Sequence, residues 1–256
     1  MKIVIIGGTG LIGTKLVTLL GASGHTIVAA SRATGVNSFT GEGLADALAG
    51  AEVVIDVSNS SYTDEAGALE FFETSTLNLL TYGAAAGIRH HVALSVVGTE
   101  RLAESERGYF RAKFEQEKLI RASNAAYSIV HATQFFEFVR TIADAATRGN
   151  QVRVAQALIQ PMAADDVASV VARTALGDPV NGILEFAGPD RFRLTELVRR
   201  RLSAGRDPRE VVADPLARYF GNQLAEDELL PQANAEIVPT HFTEWLRATL
   251  EPVTTG

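Results

Sequence analysis

The sequence predicts an α/β fold: a doubly wound parallel sheet with a small C-terminal lobe. Three observations carry this reading. A short apolar strand breaks into glycines and restarts as a helix at residues 3–13, strand-like and helix-like segments alternate through the first half, and that alternation loosens after Gln134. A chain of 256 residues that is 46% hydrophobic can bury a core of this size. Residues 1–256 are therefore read as one domain, with the lobe built mainly from 134–162 and 188–256.

The first strand, Lys2 to Ile6, contains Ile3-Val4-Ile5-Ile6, too short for a helix and β-branched throughout, as suits a strand buried on both faces. Further strands are predicted over Thr26 to Ser31, Val36 to Phe39, Glu52 to Val57, His90 to Val97 and Tyr127 to Thr133. Helices are predicted near Leu11 to Gly21, Gly43 to Ala49, Gly67 to Ala86 and Tyr109 to Ala122. Beyond Gln134, Gln151 to Gln160 reads as short strands, Asp165 to Leu176 as a helix opened by an Asp cap, Gly182 to Ala187 as a strand, and Thr240 to Leu250 as an amphipathic helix.

The glycine turn after the first strand has a known use. One glycine permits a tight turn, another lets backbone approach a pyrophosphate, and a third lets the new helix pack on the strand, while the helix N-terminus offers free N–H groups and partial positive charge. The turn is therefore expected to be the dinucleotide site of a Rossmann-type fold, the alternative being a glycine-rich β-to-α turn with no ligand. Two registers fit, Gly8-Gly10-Gly13 and Gly7-Gly10-Gly13. In such sheets ligands lie at the carboxyl ends of strands, which places Val57, Ser58 and Asn59 beside the same ligand.

Charge narrows the dinucleotide. The chain carries −7 overall, yet its first 41 residues hold Lys2, Lys15 and Arg32 and no carboxylate. A site for NAD usually places an acid about 20 residues past the glycines, and a site for NADP prefers an Arg for the 2′-phosphate. Here the second strand ends in Ser31-Arg32, which favours NADP(H).

Tyr109 and Lys113 form a YxxxK motif that places both on one face of a helix. A fixed cation lowers the phenol pKa from ~10 and makes Tyr a usable acid or base. With four lysines and five tyrosines in the chain, chance would produce only ~0.08 such matches. Ser95, at the end of its strand, is placed to hydrogen-bond the same substrate oxygen.

The order GGTGLIG, Ser31-Arg32, Leu94-Ser95 and YFRAK resembles the short-chain dehydrogenase/reductase superfamily. Residues 127–136 (YSIVHATQFF), 161–168 (PMAADDVA) and 186–189 (FAGP) resemble its atypical, NmrA-like branch, and the likeness runs over about residues 1–198. It selects the Gly7-Gly10-Gly13 register. It implies that Gly7, Thr9, Gly10, Leu11, Ile12, Gly13, Ser31, Arg32, Val57, Ser58, Asn59 and Lys113 bind NADP(H), and that Tyr109 donates the proton, Lys113 holds the nicotinamide ribose and Ser95 orients the carbonyl. Many members carry an Arg-Pro pair after the sixth strand; this chain has His131-Ala132-Thr133.

Gln134, Phe135 and Phe136, with Phe138, follow the sixth strand and could wall an apolar substrate pocket. His90 and His91 are adjacent on a strand, point to opposite faces and make a poor metal pair, so no metal is expected. His131 reads as a buried strand residue. With no cysteine there is no thiolate site or disulfide framework. An acidic chain without an 18-residue apolar stretch is expected to bind a small molecule, not nucleic acid or a membrane, and to work in the cytoplasm. The function these residues imply is NADPH-dependent reduction of a carbonyl or quinone in a small apolar substrate. The alternative is a non-catalytic NADP(H)-binding redox sensor of NmrA-like type. A sugar-nucleotide epimerase or dehydratase is less favoured, since the lobe is short and Arg32 argues against tightly held NAD.

Overall fold

The computed structural model describes residues 1–60, 64–103 and 108–250. In chain order the elements are β1 (Lys2–Ile6), α1 (Leu11–Ala22), β2 (Thr26–Ala30), α2 (Leu44–Leu48), β3 (Val53–Asp56), α3 (Glu65–Ala86), β4 (His90–Val96), α4 (Thr99–Leu102), α5 (Tyr109–Ala122) and β5 (Tyr127–Ala132). There follow α6 (Val139–Ala145), β6 (Thr147–Arg148), β7 (Gln151–Val154), β8 (Leu158–Ile159), α7 (Ala164–Leu176), β9 (Gly182–Ala187), β10 (Phe192–Arg193), α8 (Leu194–Ala204), β11 (Glu210–Ala213), β12 (Glu236–Ile237) and α9 (Phe242–Leu250).

The main sheet has seven strands in the order β12-β9-β5-β4-β3-β1-β2. β1 pairs in parallel with both β2 and β3, β3 with β4, and β4 with β5, which makes the predicted Rossmann-type α/β sheet. Ile3, Val4 and Ile5 are wholly buried, as a central strand covered on both faces requires. The order reverses at β1: its next strand in sequence lies on one side and β3 on the other. A crevice opens at such a switch point, beyond the carboxyl ends of β1 and β3.

One predicted strand does not form. Val36 to Phe39 is turn and loop, because Gly35, Gly41 and Gly43 adopt left-handed φ values of 80°, 82° and 71° around it. Asn37 uses its N–H on Glu42 O, its carbonyl on Gly41 N–H and its side-chain oxygen on Phe39 N–H. Turn bonding thus consumes the groups a strand would pair.

The chain forms two compact units, Met1–Ala132 with Val167–Glu185, and Thr133–Asp166 with Phe186–Gly256. In the first, α1 buries Ile12, Leu16 and Leu20 at helical spacing. Helix α3 is opened by Asp64, whose carboxylate accepts from Gly67 N–H at 3.0 Å, and closed by Gly87 at φ 72°. Helix α5 buries Phe110, Lys113, Gln116, Glu117 and Ile120 on one stripe.

In the second unit Phe136, Phe242 and Trp245 form an aromatic core, with Phe136 centred 5.2 Å from Phe242 and 5.4 Å from Trp245. Glu137 beside it accepts from Ala164 N–H at 3.1 Å and from Trp245 Nε1 at 3.1 Å. This corrects the expected Asp cap on α7: Asp165 lies inside the first turn, and the carboxylate bonded to the helix's first N–H is Glu137. Among the described residues no helix is long and apolar enough to cross a membrane.

Candidate functional site

The glycine turn is set by contacts that no side chain fits. Gly7 has φ 81°, and a Cβ there would lie 2.9 Å from Ser58 N and from the Val57 carbonyl. A Cβ on Gly13 would stand 2.1 Å from Gly7 O, and one on Gly8 would stand 2.7 Å from Ala29 Cα. The turn is therefore wedged between β2 and the Val57-Ser58 segment, and the structure brings these predicted cofactor residues together.

Helix α1 then starts at Leu11 with Gly10 as a cap that supplies no side chain, and no acid stands in its first turn. Among the described residues the N–H groups of Leu11, Ile12 and Gly13 have no backbone acceptor. Uncapped N–H groups beside an exposed Thr9 and Gly10 suit an anion, so the residues present fit the pyrophosphate of a dinucleotide. Ser58 adds a buried Oγ without a hydrogen-bond partner among the described residues, while Asn59 is exposed.

Ser31 N–H is held by Thr34 Oγ1, which also donates to Ala29 O at 2.8 Å. This small box fixes the end of β2 and leaves Arg32 exposed, its guanidinium without a hydrogen-bond or ion-pair partner among the described residues. An unpaired guanidinium at this strand end, with no carboxylate in the preceding 31 residues, is suited to a phosphate monoester.

The YxxxK pair lies at the start of α5, after Gly108. Tyr109 is half-buried, edge-on to Phe72 at 6.0 Å and to Phe110 at 6.0 Å. Lys113 is only 2% exposed; its Nζ donates to Leu94 O at 2.8 Å and to Gln116 Oε1, and lies 4.5 Å over the Phe72 ring. Burial drives its pKa down to about 8, against the pull of Asp56 and Glu117. Phe72 thus contacts both the phenol ring and the ammonium.

Ser95 enters a buried polar network that the sequence reading missed. Its hydroxyl donates to Glu117 Oε1, which also lies 2.9 Å from His131 Nε2. His131 Nδ1 in turn lies 3.7 Å from Glu185 Oε2. Burial opposes charge on His131, but hydrogen bonds and charge from the two carboxylates overcome it and raise its pKa to about 9. Burial likewise opposes ionisation of Glu117, and His131, Ser95 and Lys113 together hold its pKa below the ordinary value. Gln116 links Lys113 to Asp56: its Nε2 donates to Asp56 Oδ2 at 2.9 Å, and Asp56 Oδ1 accepts from Ser58 N–H at 2.9 Å. One signal was available in the sequence, since Gln116 and Glu117 fall three and four residues after Lys113 and share its helix face.

In the second unit, Gln134 is 6% exposed, and neither its side-chain oxygen nor its nitrogen has a hydrogen-bond partner among the described residues. Its backbone carbonyl accepts from Met162 N–H, and Met162 O accepts from Phe136 N–H, so an extended pairing with 162 holds the segment. Phe135 is half-buried, Phe136 belongs to the aromatic core, and Phe138 stacks on Phe220 at 5.5 Å. His90 and His91 point to opposite faces: His90 Nε2 meets Ser128 Oγ at 2.8 Å, and His91 is close enough to Asp56 to feel its charge. Among the described residues no cluster of His, Asp and Glu could hold a metal.

No family model matches the chain and no curated protein matches it. Solved structures do. An NADPH-dependent quinone oxidoreductase from Escherichia coli superposes with a TM-score of 0.64 at 16% identity, covering 97% of this chain and 100% of that one. The dTDP-glucose 4,6-dehydratase DesIV from Streptomyces venezuelae, with NAD and TYD bound, gives 0.68 at 18% identity, covering 98% and 96%. A short-chain dehydrogenase/reductase superfamily protein from Agrobacterium tumefaciens with bound NAD gives 0.64 at 14% identity, covering 84% and 85%. The chain thus shares the Rossmann-type α/β fold of these solved structures.

Proposed function

We propose that this protein is an NADPH-dependent oxidoreductase that reduces a carbonyl, or a quinone, of a small and mostly apolar substrate. The observation that carries the reading is the uncapped, acid-free start of α1 with the unpaired Arg32 at the neighbouring strand end. Gly7, Thr9, Gly10, Leu11, Ile12 and Gly13 would hold the pyrophosphate, Ser31 and Arg32 the 2′-phosphate, and Val57, Ser58 and Asn59 the far wall of the crevice. Bound NADPH supplies hydride to the substrate carbon. Tyr109 then gives its phenolic proton to the nascent alkoxide, and Lys113, a buried cation one helical turn away, favours the phenolate that remains. On the substrate side, Gln134 brings an unsatisfied amide that costs about 1–3 kcal/mol per buried group until a ligand pairs it. Phe135, half-buried, supplies apolar surface, and Phe136 lies in the aromatic core with Phe242 and Trp245.

A second reading has its own support. Lys113 is committed to Leu94 and Gln116, and Ser95 to Glu117, as in a protein that binds NADP(H) to sense redox state without turnover. One experiment separates the two: titration with NADPH and NADH, followed by an anaerobic screen of aldehydes, ketones and quinones with the preferred cofactor. NADPH should bind at least about tenfold more tightly than NADH, and Arg32→Ala should erase that preference. Tighter NADH binding rejects the role of Arg32; NADPH binding without turnover across the screen favours the sensor.

A further inference from the structure

The Ser95–Glu117–His131–Glu185 network does something the assigned roles do not use. Ser95 has a single proton, and it is given inward to Glu117 Oε1. Glu117 is 3% exposed, and a carboxylate that deeply buried stays ionised only if it is richly paired. Its partners come from several elements. Ser95 stands on β4 and His131 opposite it on β5; Lys113 adds positive charge from α5 itself, backed by Asp56 of β3 through Gln116. Glu185 on β9 faces the other nitrogen of His131, so the imidazole is clamped between two carboxylates. Glu117 is thereby locked as an acceptor, and the Ser95 proton has nowhere better to point.

The consequence is a matter of donor and acceptor count. A hydroxyl whose proton is committed inward offers only lone pairs outward. We propose that Glu117 and His131 are positioning residues that make Ser95 a hydrogen-bond acceptor, so that the site holds the hydroxyl form of its redox pair, an alcohol or hydroquinone, more tightly than the carbonyl form. This rests on the oxidoreductase reading for its choice of ligand, and it reverses the role expected of Ser95, which was to donate to a carbonyl. An O–H created by protonation of the alkoxide would find its acceptor already in place.

The test uses the full chain without cofactor, under anaerobic conditions, with 1,4-naphthohydroquinone and 1,4-naphthoquinone as the probes and protein-observed NMR as the readout. The wild type should bind the hydroquinone at least about tenfold more tightly than the quinone. Ser95→Ala should bring the two affinities together. Glu117→Gln, which places a donating amide behind Ser95 and frees its proton to turn outward, should bring them within about threefold. The same spectra of protein labelled at histidine nitrogens report whether each variant is folded and should show His131 as an imidazolium at pH 7.5 in the wild type. Equal affinities in the wild type, no binding of either probe, or a neutral His131 overturns the proposal. A separate NADPH titration keeps the two readings apart. Hydroquinone preference without NADPH binding removes the oxidoreductase and leaves Ser95 as an acceptor; turnover with NADPH but no preference does the opposite.

Discussion

Gly13 lies so close under Gly7 that a Cβ on it would stand 2.1 Å from the Gly7 carbonyl oxygen, which ties the first turn of α1 to the end of β1. Gly13→Ala should therefore push the helix off the strand. The expected loss is at least about 2 kcal/mol of stability, with loss of NADPH binding. Gly21, on the same helix, has nothing within 4 Å of its added Cβ, and Gly21→Ala should stabilise by about 0.4–1 kcal/mol. Urea denaturation of both variants, with NADPH fluorescence titration, checks the contrast.

Tyr109 packs edge-on to Phe72, and Phe in its place keeps that contact. Tyr109→Phe should leave NADPH affinity unchanged while turnover falls about 10²–10⁴-fold. Unchanged turnover in a steady-state assay removes Tyr109 from the mechanism.

The pH dependence of stability follows from two buried groups with opposite signs. His131 is raised from 6.5 to about 9, so its contribution is complete below pH 6.5 and is lost as pH rises through 9. Lys113 is lowered from 10.5 to about 8, so the folded state gives up that proton first and stability is regained as pH rises from 8 towards 10.5. Together they predict a fall from pH 6.5 to 8, a plateau to 9, and recovery above it. Unfolding curves of wild type minus His131→Asn should retain only the fall, and wild type minus Lys113→Met only the recovery.

Glu137 joins the start of α7 to the only tryptophan in the chain. Glu137→Ala should cost about 1–3 kcal/mol, since it leaves Ala164 N–H and Trp245 Nε1–H unpaired. Glu137→Gln keeps an acceptor oxygen and should cost less. Tryptophan fluorescence reports both the unfolding and the altered surroundings of Trp245.

Much of the fold was legible because strand and helix periodicity decide it. The bounds of β1, α5 and β9 are those read from apolar runs and turn residues, and the glycine turn sits where its spacing put it. Val36 to Phe39 failed because Val36 and Phe39 are residue types that favour strands while the glycines around them demand left-handed backbone; local turn bonds outweighed that preference. The site was harder. Lys113, Gln116 and Glu117 are residue types that ordinarily face water, so their burial was invisible without knowing that Asp56, His131 and Glu185 arrive from other strands to pair with them. Glu137 escaped for the same reason: its partners lie 27 and 108 residues away.

The polar underside of α5 also limits how this protein can be rebuilt. An ordinary amphipathic helix is interchangeable with any other that presents apolar surface of similar volume, but α5 answers a set of charges on three different strands. A transplanted apolar helix would take Gln116 from Asp56 and Glu117 from His131, and a transplanted α5 would bring a lysine and a glutamate into a neighbour's dry core. Helix and strands must therefore change together or not at all, so chimeras should be cut outside residues 53–187 and not between the sheet and its covering helix.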